Sequence, residues 1–363
     1  MGEWKEYKLG EIISLGNGKV RPEDIGDIPV YGGNGILGYC NSSNYDGETI
    51  IIGRVGAYCG SVYYENRPIW ITDNALAVKS KKKYSTKFIY YLLKKLKLND
   101  YAEGSSHPLI TQTLLNAIDV LFIDDIEEQK SIASILSSLD DKIDLLYREN
   151  KTLEAIAEIL FNKILSNKEN EGTIEQLISI QNGYAFKSKN FQEHGVNGII
   201  KIKNISEGII DINKTDCIDI DIIQGISSKF KVHTGDILIA MTGAEIGKLG
   251  IVPSTNKDLW LNQRVGMLIE KYPGSKYIAY LQLKSDYGQD FIENAATGSA
   301  QPNISSSAIE NCGFPLLDVS VIKTLAYQLG VLYEKIIHNL GHINGLKLLR
   351  NELLIKLMDN TNL

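Results

Sequence analysis

The 363-residue chain has room for two or three domains and a sizeable core. Its 44% hydrophobic and 23% charged content is that of an ordinary globular protein, and no apolar run approaches the length needed to span a bilayer. The net charge of −6 argues against a simple basic nucleic-acid binder, although acidic helices contribute to that total and a local basic surface is compatible with it. Four scattered cysteines, Cys40, Cys59, Cys217 and Cys312, show no metal spacing and read as buried or free thiols in a reducing cytoplasm. No apolar core follows Met1-Gly2-Glu3-Trp4-Lys5, so no signal peptide is expected.

In chain order, Leu9 to Gly18 reads as a short amphipathic helix or strand ending in an Asn17-Gly18 turn. Ile28-Pro29-Val30-Tyr31-Gly32-Gly33-Asn34-Gly35-Ile36-Leu37-Gly38-Tyr39 is a glycine-rich loop stretch. Gly47 to Ile52 and Gly56 to Gly60 predict a β-strand, a glycine turn and a second strand. Trp70 to Ala75, a helix over Thr86 to Leu98 and a polar loop over Glu103 to Thr111 follow.

The chain is organised around the next element. From Ile132 to Ile164 the seam residues recur in steps of four and three: Leu136, Leu139, Ile143, Leu146, Asn150, Leu153, Ala157, Leu160, all apolar but Asn150. That is an a/d heptad seam, the pattern of a coiled-coil helix. Ala155, Ile156 and Ile159 widen the stripe, and Asp140, Asp141, Lys142, Arg148, Glu149 and Lys151 occupy the other faces. Residues 166–172 form a polar linker.

Beyond the linker the pattern starts again. Ile174 to Gly183 aligns with Leu9 to Gly18 at an offset of 165. Gly198-Ile199-Ile200-Lys201-Ile202-Lys203-Asn204-Ile205-Ser206-Glu207-Gly208 has no counterpart and alternates like a strand before turning. Gly235 to Ala240 then matches Gly47 to Ile52, Gly243 to Gly247 matches Gly56 to Gly60, and Leu259 to Arg264 loosely matches Trp70 to Ala75. A helix over about Ser275 to Ser285 precedes Thr297 to Ser305, which matches Glu103 to Thr111 at offset 194. At offset 193 the heptad seam recurs as Leu325, Leu329, Leu332, Ile336, Asn339, Ile343, Leu346, Arg350, Leu353 and Leu357. So narrow a stripe needs a partner helix, and the other copy is favoured over separate packing on each globule.

No catalytic constellation is present. The chain has neither Asp-Pro-Pro-Tyr nor Asn-Pro-Pro-Tyr. Gly243-Ala244-Glu245-Ile246-Gly247-Lys248-Leu249 is one residue short of a phosphate loop and has Leu where Ser or Thr would bind magnesium, so it reads as a hairpin turn. His338 and His342 share a helix face, but Asn339 stands where a zinc peptidase has Glu, and the favoured reading is polar side chains facing solvent. What remains is a set of side chains suited to nucleic acid. In the first copy these are Lys19, Arg21, Asn34, Arg54, Arg67 and His107; in the second, Lys187, Lys189, Lys201, Lys203, Asn204, Arg264, Gln301 and Asn303. Arg, Asn and Gln read guanine and adenine edges through paired hydrogen bonds, whereas Lys mainly neutralises phosphate. The alternative for each is an ordinary solvated loop residue. The run Lys79, Lys81, Lys82 and Lys83 is either a phosphate contact or a solvated turn.

The duplicated order carries a resemblance. A variable segment precedes Gly235-Asp236-Ile237-Leu238-Ile239 with its paired-glycine turn, then Thr297-Gly298-Ser299-Ala300-Gln301-Pro302-Asn303-Ile304-Ser305, then a long helix. Present twice, this resembles the specificity (S) subunit of Type I restriction–modification systems. Ile126-Glu127-Glu128-Gln129-Lys130-Ser131-Ile132-Ala133 is similar to the start of that family's central helix. His107-Pro108-Leu109 departs from the Gln-Pro-Asn of the second copy, and Val321-Ile322-Lys323 from the Glu-Glu-Gln of the first.

The resemblance implies an α+β fold with a pseudo-two-fold internal repeat. Target-recognition domains would cover residues 1–125 and 172–318, and long helices 126–166 and 319–360 would form an antiparallel coiled coil. It further implies a non-catalytic cytoplasmic subunit reading a bipartite, asymmetric double-stranded DNA target with an unread spacer. Two methyltransferase and two restriction subunits would assemble on it, and S-adenosylmethionine, ATP and Mg would belong to them. The competing readings are a specificity subunit for a partner with fused restriction and methylation activities, and a non-DNA scaffold spacing two ligand-binding domains.

Overall fold

The computed structural model describes residues 3–104, 108–166, 168–298 and 302–358. The chain divides into two compact units, residues 1–143 with 346–363, and residues 144–345. Each contains one mixed α/β domain and part of both long helices, the α+β duplication that the sequence repeat predicts.

In the first unit a four-stranded antiparallel sheet runs in the order Ile13–Asn17, Ala75–Ser80, Glu48–Gly53, Val62–Asn66. Its strand residues Ile50, Ile51 and Ile52 are all fully buried because both faces are covered. Ile50 and Ile52 join Phe88, Ile89 and Leu92 of the helix Thr86–Lys95, while Ile51 joins Tyr31 and Ile71 of a second sheet. That helix starts at Ser85, whose hydroxyl accepts from the Phe88 amide at 3.2 Å. It ends earlier than the expected Leu98, since Lys97 adopts φ 49° and the chain turns away. The second sheet places Gly35–Cys40, Ile28–Gly32 and Trp70–Ile71 side by side. The glycine-rich stretch expected to be a loop is therefore a hairpin. Its glycines hid the strand pattern, and Gly35 at φ 82° makes the turn between strands.

The second unit has a six-stranded sheet in the order Ile178–Asn182, Val265–Glu270, Ile237–Ala240, Leu249–Ile251, Gly208–Ile210, Ile205–Ser206. Beside it lies a four-stranded sheet ordered Asp216–Ile218, Asn197–Ile200, Asp258–Leu261, Lys231–Val232. Helix Ser275–Lys284 is followed by a further helix, Asp286–Ala295, which the sequence reading missed. The Ser285 hydroxyl caps it by accepting from the Gly288 amide at 3.1 Å.

Strand pairing corrects two alignments by one residue. Ile51 lies opposite Ala77 and Leu238 opposite Met267, so Ile51 corresponds to Leu238 rather than Ile239. Likewise Trp70 corresponds to Trp260, since Val30 pairs with Trp70 and Ile199 with Trp260. The error has a physical origin. A strand buried on both faces is a continuous apolar run with no alternation to fix its phase.

The long helices span Ile126–Leu165 and Val319–Met358. Asp125 caps the first, its carboxylate accepting from the amides of Glu127 at 2.9 Å and Glu128 at 3.2 Å. In the first unit Leu353, Leu357 and Met358 pack with Ile132, Ala133 and Leu136, while Arg350 reaches Asp140 at 2.7 Å, so the helices run antiparallel. The remaining seam residues of that unit, Leu139, Ile143 and Leu346, are buried or half-buried too. In the second unit the same holds for Leu146, Asn150, Leu153, Leu160, Leu329, Leu332, Ile336, Asn339 and Ile343. Ala155, Ile156 and Ile159 do not widen the seam: all three are exposed. Nor are both helices acidic. The first carries eight acidic and five basic residues, but the second carries two acidic and five basic, so the negative balance lies elsewhere.

Candidate nucleic-acid interface

One cluster of loops is built twice from the same backbone hydrogen bonds. In the first unit the Lys19 amide donates to the Ile71 carbonyl at 2.9 Å, and the Asp73 amide returns to the Lys19 carbonyl at 3.1 Å. The Arg54 amide donates to the Asn74 carbonyl at 3.0 Å, the Ile110 amide to Arg54 at 2.8 Å, and the Gly56 amide to Pro108 at 3.1 Å. In the second unit the same five bonds link Tyr184 to Leu261, Gln263 to Tyr184, Met241 to Arg264, Ile304 to Met241 and Gly243 to Pro302, at 2.8 to 3.1 Å. Gly18 and Gly183 are required where the first loop crosses: a Cβ there would lie 1.9 Å from the Thr72 carbonyl oxygen and 2.1 Å from that of Asn262. The Asn-Gly pairs of the sequence thus mark a close backbone approach that anchors the cluster.

Side chains decorate this common backbone differently. Lys19, Arg21 and Asn34 are exposed in the first unit. Asn34 sits on the hairpin tip, which abuts Gly53: a Cβ on Gly53 would lie 2.6 Å from the Gly33 carbonyl. Arg54 is half-buried, and its Nε has no hydrogen-bond partner. Arg67 is not part of the cluster. It follows the Asn66 end of its strand, whereas the loops gather at the Gly53 end, and it is held by Glu65 through Nε and Nη2, both at 3.0 Å. His107 and Gln301 lie outside the described residues.

In the second unit Lys187, Lys189, Arg264 and Asn303 are exposed. Lys201 Nζ sits 2.8 Å from Asp216 and 3.3 Å above the Phe191 ring, and Lys203 Nζ is 2.9 Å from the same carboxylate. Burial would raise the Asp216 carboxyl, but the two ammonium groups outweigh it and hold it below the usual carboxylate range. Two lysines therefore share one negative charge. Asn204 is a correction to the candidate set. It is fully buried, accepts from the Lys201 amide at 2.9 Å and donates to the Lys214 carbonyl at 2.9 Å, so it shapes the loop rather than facing a ligand. Phe186, Phe191, Lys201, Gln263 and Arg264 line an open hollow of about 520 Å³. Phe186, Phe191 and Asp216 were missed in the sequence, since nothing there marks residues far apart in the chain as neighbours.

The basic run near Lys79 belongs to the opposite end of the sheet. Lys79 Nζ donates to the Asp46 carbonyl at 2.6 Å and the Glu48 carbonyl at 2.8 Å, and Lys81 Nζ donates to the Gly10 carbonyl. Both are structural ties. His338 and His342 are exposed, with ring centroids 4.2 Å apart. Among the described residues no helix is long and apolar enough to cross a membrane.

A duplicated loop cluster on paired mixed domains, each with long antiparallel helices, defines a class of protein. The chain matches the family described as Type I restriction modification DNA specificity domain twice, over residues 1–155 and 167–318, and it belongs to that family. It is similar to the Type I restriction enzyme EcoprrI specificity subunit of Escherichia coli, 34% identical over 140 residues. That match covers 39% of this chain but only 35% of the relative, about a third of its length. It is also similar to the Type I restriction enzyme MjaVIII specificity subunit of Methanocaldococcus jannaschii, 26% identical over 299 residues, covering 76% of this chain and 69% of that one. The fold is that of a Type-I restriction-modification system S subunit from M. genitalium, with a TM-score of 0.67 at 17% identity, over 98% of this chain and 96% of that chain.

Proposed function

We propose that this chain is the non-catalytic DNA-reading subunit of a Type I restriction–modification complex, each unit reading one half of a bipartite target through its loop cluster. The observation that carries the reading is the pair of clusters with matching backbone and unlike side chains. A common frame with different readers suits two half-sites of different sequence, so the target is asymmetric with an unread spacer between the halves. Two methyltransferase and two restriction subunits assemble on the chain in the cytoplasm. S-adenosylmethionine, ATP and Mg belong to those partners.

The test is to co-express the full chain with its partner methyltransferase and sequence the methylated sites. Two unlike half-sites at a fixed separation are expected, with methylation lost when this chain is omitted. A palindromic target overturns the asymmetric reading, and methylation that does not depend on this chain overturns the DNA-reading role and favours a scaffold that does not touch DNA.

A further inference from the structure

The same turn in both clusters carries opposite chemistry. In the first unit it presents Asp73 and Asn74, in the second Gln263 and Arg264, and all four residues are exposed. Their backbones are fixed alike. Ala75 and Val265 each donate back to the residue three before, at 3.0 and 2.9 Å, and the carbonyls of Asn74 and Arg264 accept from the neighbouring strand end at 3.0 and 3.1 Å. Among the described residues none of the four side chains makes a hydrogen bond or ion pair. Each turn is thus a rigid base carrying two uncommitted polar side chains, the arrangement a specific contact requires. The second turn forms the rim of the hollow floored by Phe186 and Phe191.

We propose that these two turns are equivalent base-reading positions, and that their side chains make the two half-sites differ. The inference rests on the DNA-reading role proposed above. Arg264 presents the planar fork that pairs with O6 and N7 of guanine, and Gln263 the amide that pairs with N6 and N7 of adenine. Asn74 has the same amide chemistry as Gln263. Asp73 accepts only, which matches the exocyclic amine of cytosine or adenine and rejects the acceptor-only edge of guanine. Its carboxylate also separates base reading from backbone contact, because beside a phosphate it would meet charge of its own sign. A shared phosphate-binding turn would keep a basic residue in both copies; this one has Arg264 opposite Asn74. The second turn therefore selects purines with a guanine, and the first selects adenine with an amine-bearing neighbour.

The experiment uses the complex of the full chain with its partner methyltransferase, acting on a library randomised through both half-sites. Exchanging the second turn (Q263D with R264N) should change the preferred bases at one or two adjacent positions of one half-site, cut methylation of the original sequence about tenfold or more, and leave the other half-site as it was. The reciprocal exchange (D73Q with N74R) should do the same to the other half-site. Arg264→Gln, which replaces the guanine-reading fork with an adenine-reading amide, should move the preference from guanine to adenine at one position while the salt dependence stays, and it decides the matter should an exchange variant fail to fold. Unchanged preferences in folded, active variants overturn this assignment and leave the DNA-reading role standing. So does a uniform loss across all sequences with a salt slope shallower by about 1, the mark of a phosphate contact. Sequence-independent methylation by the unaltered complex instead overturns the DNA-reading role itself.

Discussion

Asn339 and Asn150 provide a quantitative test of the helix pair in the second unit. Both are buried, at 0% and 5% exposure. The Asn339 amide donates to Asn150 Oδ1 at 2.8 Å and to Glu149 at 3.1 Å. Asn150 Nδ2 and Asn339 Oδ1 have no hydrogen-bond partner, so the pair is only half satisfied. Asn339→Leu removes the donor and leaves the Asn150 carbonyl oxygen buried and unpaired, at about 1–3 kcal/mol. Part of this is offset by the apolar area Leu adds to a seam lined by Ile336 and Ile343. A net loss of about 1–2 kcal/mol remains, which lowers the melting temperature of a unit of this size by roughly 2–8 °C. Asn150→Leu should cost a similar amount. The double variant removes both half-satisfied amides and should recover to the wild-type midpoint or above it, because a dry apolar pair needs no hydrogen bond. Thermal and urea melts of the four proteins, followed by helix circular dichroism, give the double-mutant cycle. A coupling near zero, with the double variant losing the sum of the single losses, would falsify the idea that the two amides act as a unit.

Four further outcomes follow from the site and the proposed role. Asp216→Asn frees a positive charge at Lys201 and Lys203, so DNA binding by the complex should gain a salt slope steeper by about 1; an unchanged slope places the lysines away from phosphate. The Asp216 carboxyl is held below its usual range, so its ion pairs stabilise the fold above the unfolded carboxylate pKa of about 3.9 and lose that contribution as pH falls through the lowered folded value; acid melts should show this loss in the wild type and not in Asp216→Asn. Replacing residues 172–315 with the corresponding domain of a relative should change one half-site only, and a change in both would refute modular reading. The purified chain alone should neither transfer methyl groups nor hydrolyse ATP, and activity that survives removal of partner subunits would show that it is an enzyme.

The long helices were legible in the sequence because a heptad seam states its own period and phase. Even there, Ile156 and Ile159 mislead: both are apolar and both are exposed. The duplicated strands were legible as strands but not in register, since Ile50, Ile51 and Ile52 are buried on both faces and present no alternation. The hairpin around Gly33 was hidden by the glycines that let it turn. Candidate site residues divided by what surrounds them in space. Lys19 and Arg264 are open to solvent as a loop reading expects. Asn204 and Arg67 are bound to partners 10 and 2 residues away, and composition gives no sign that those partners are within reach. Of the two turns only Arg264 was a sequence candidate; Asp73, Asn74 and Gln263 were not, and the loose match of the two segments was one residue out of register until the backbone hydrogen bonds aligned them.

The charge distribution is the remaining constraint on how such a chain holds DNA. The two long helices balance, with ten acidic and ten basic residues between them. Residues 1–125 are also nearly balanced, with 14 basic and 15 acidic, whereas residues 166–318 carry 14 basic and 18 acidic. The unit that carries Lys201 and Lys203 is therefore the more acidic one. Asp216 pairs with Lys201 and Lys203, and Asp211 pairs with Lys214, so three of its cations are already partly neutralised. Most non-specific affinity for a duplex comes from the displacement of counterions by cations. The net negative charge of the chain works against it, and its proposed contribution is choice of sequence. Under the proposed role, holding the phosphate backbone then falls to the partner subunits, and the salt slope of the complex should come mainly from them.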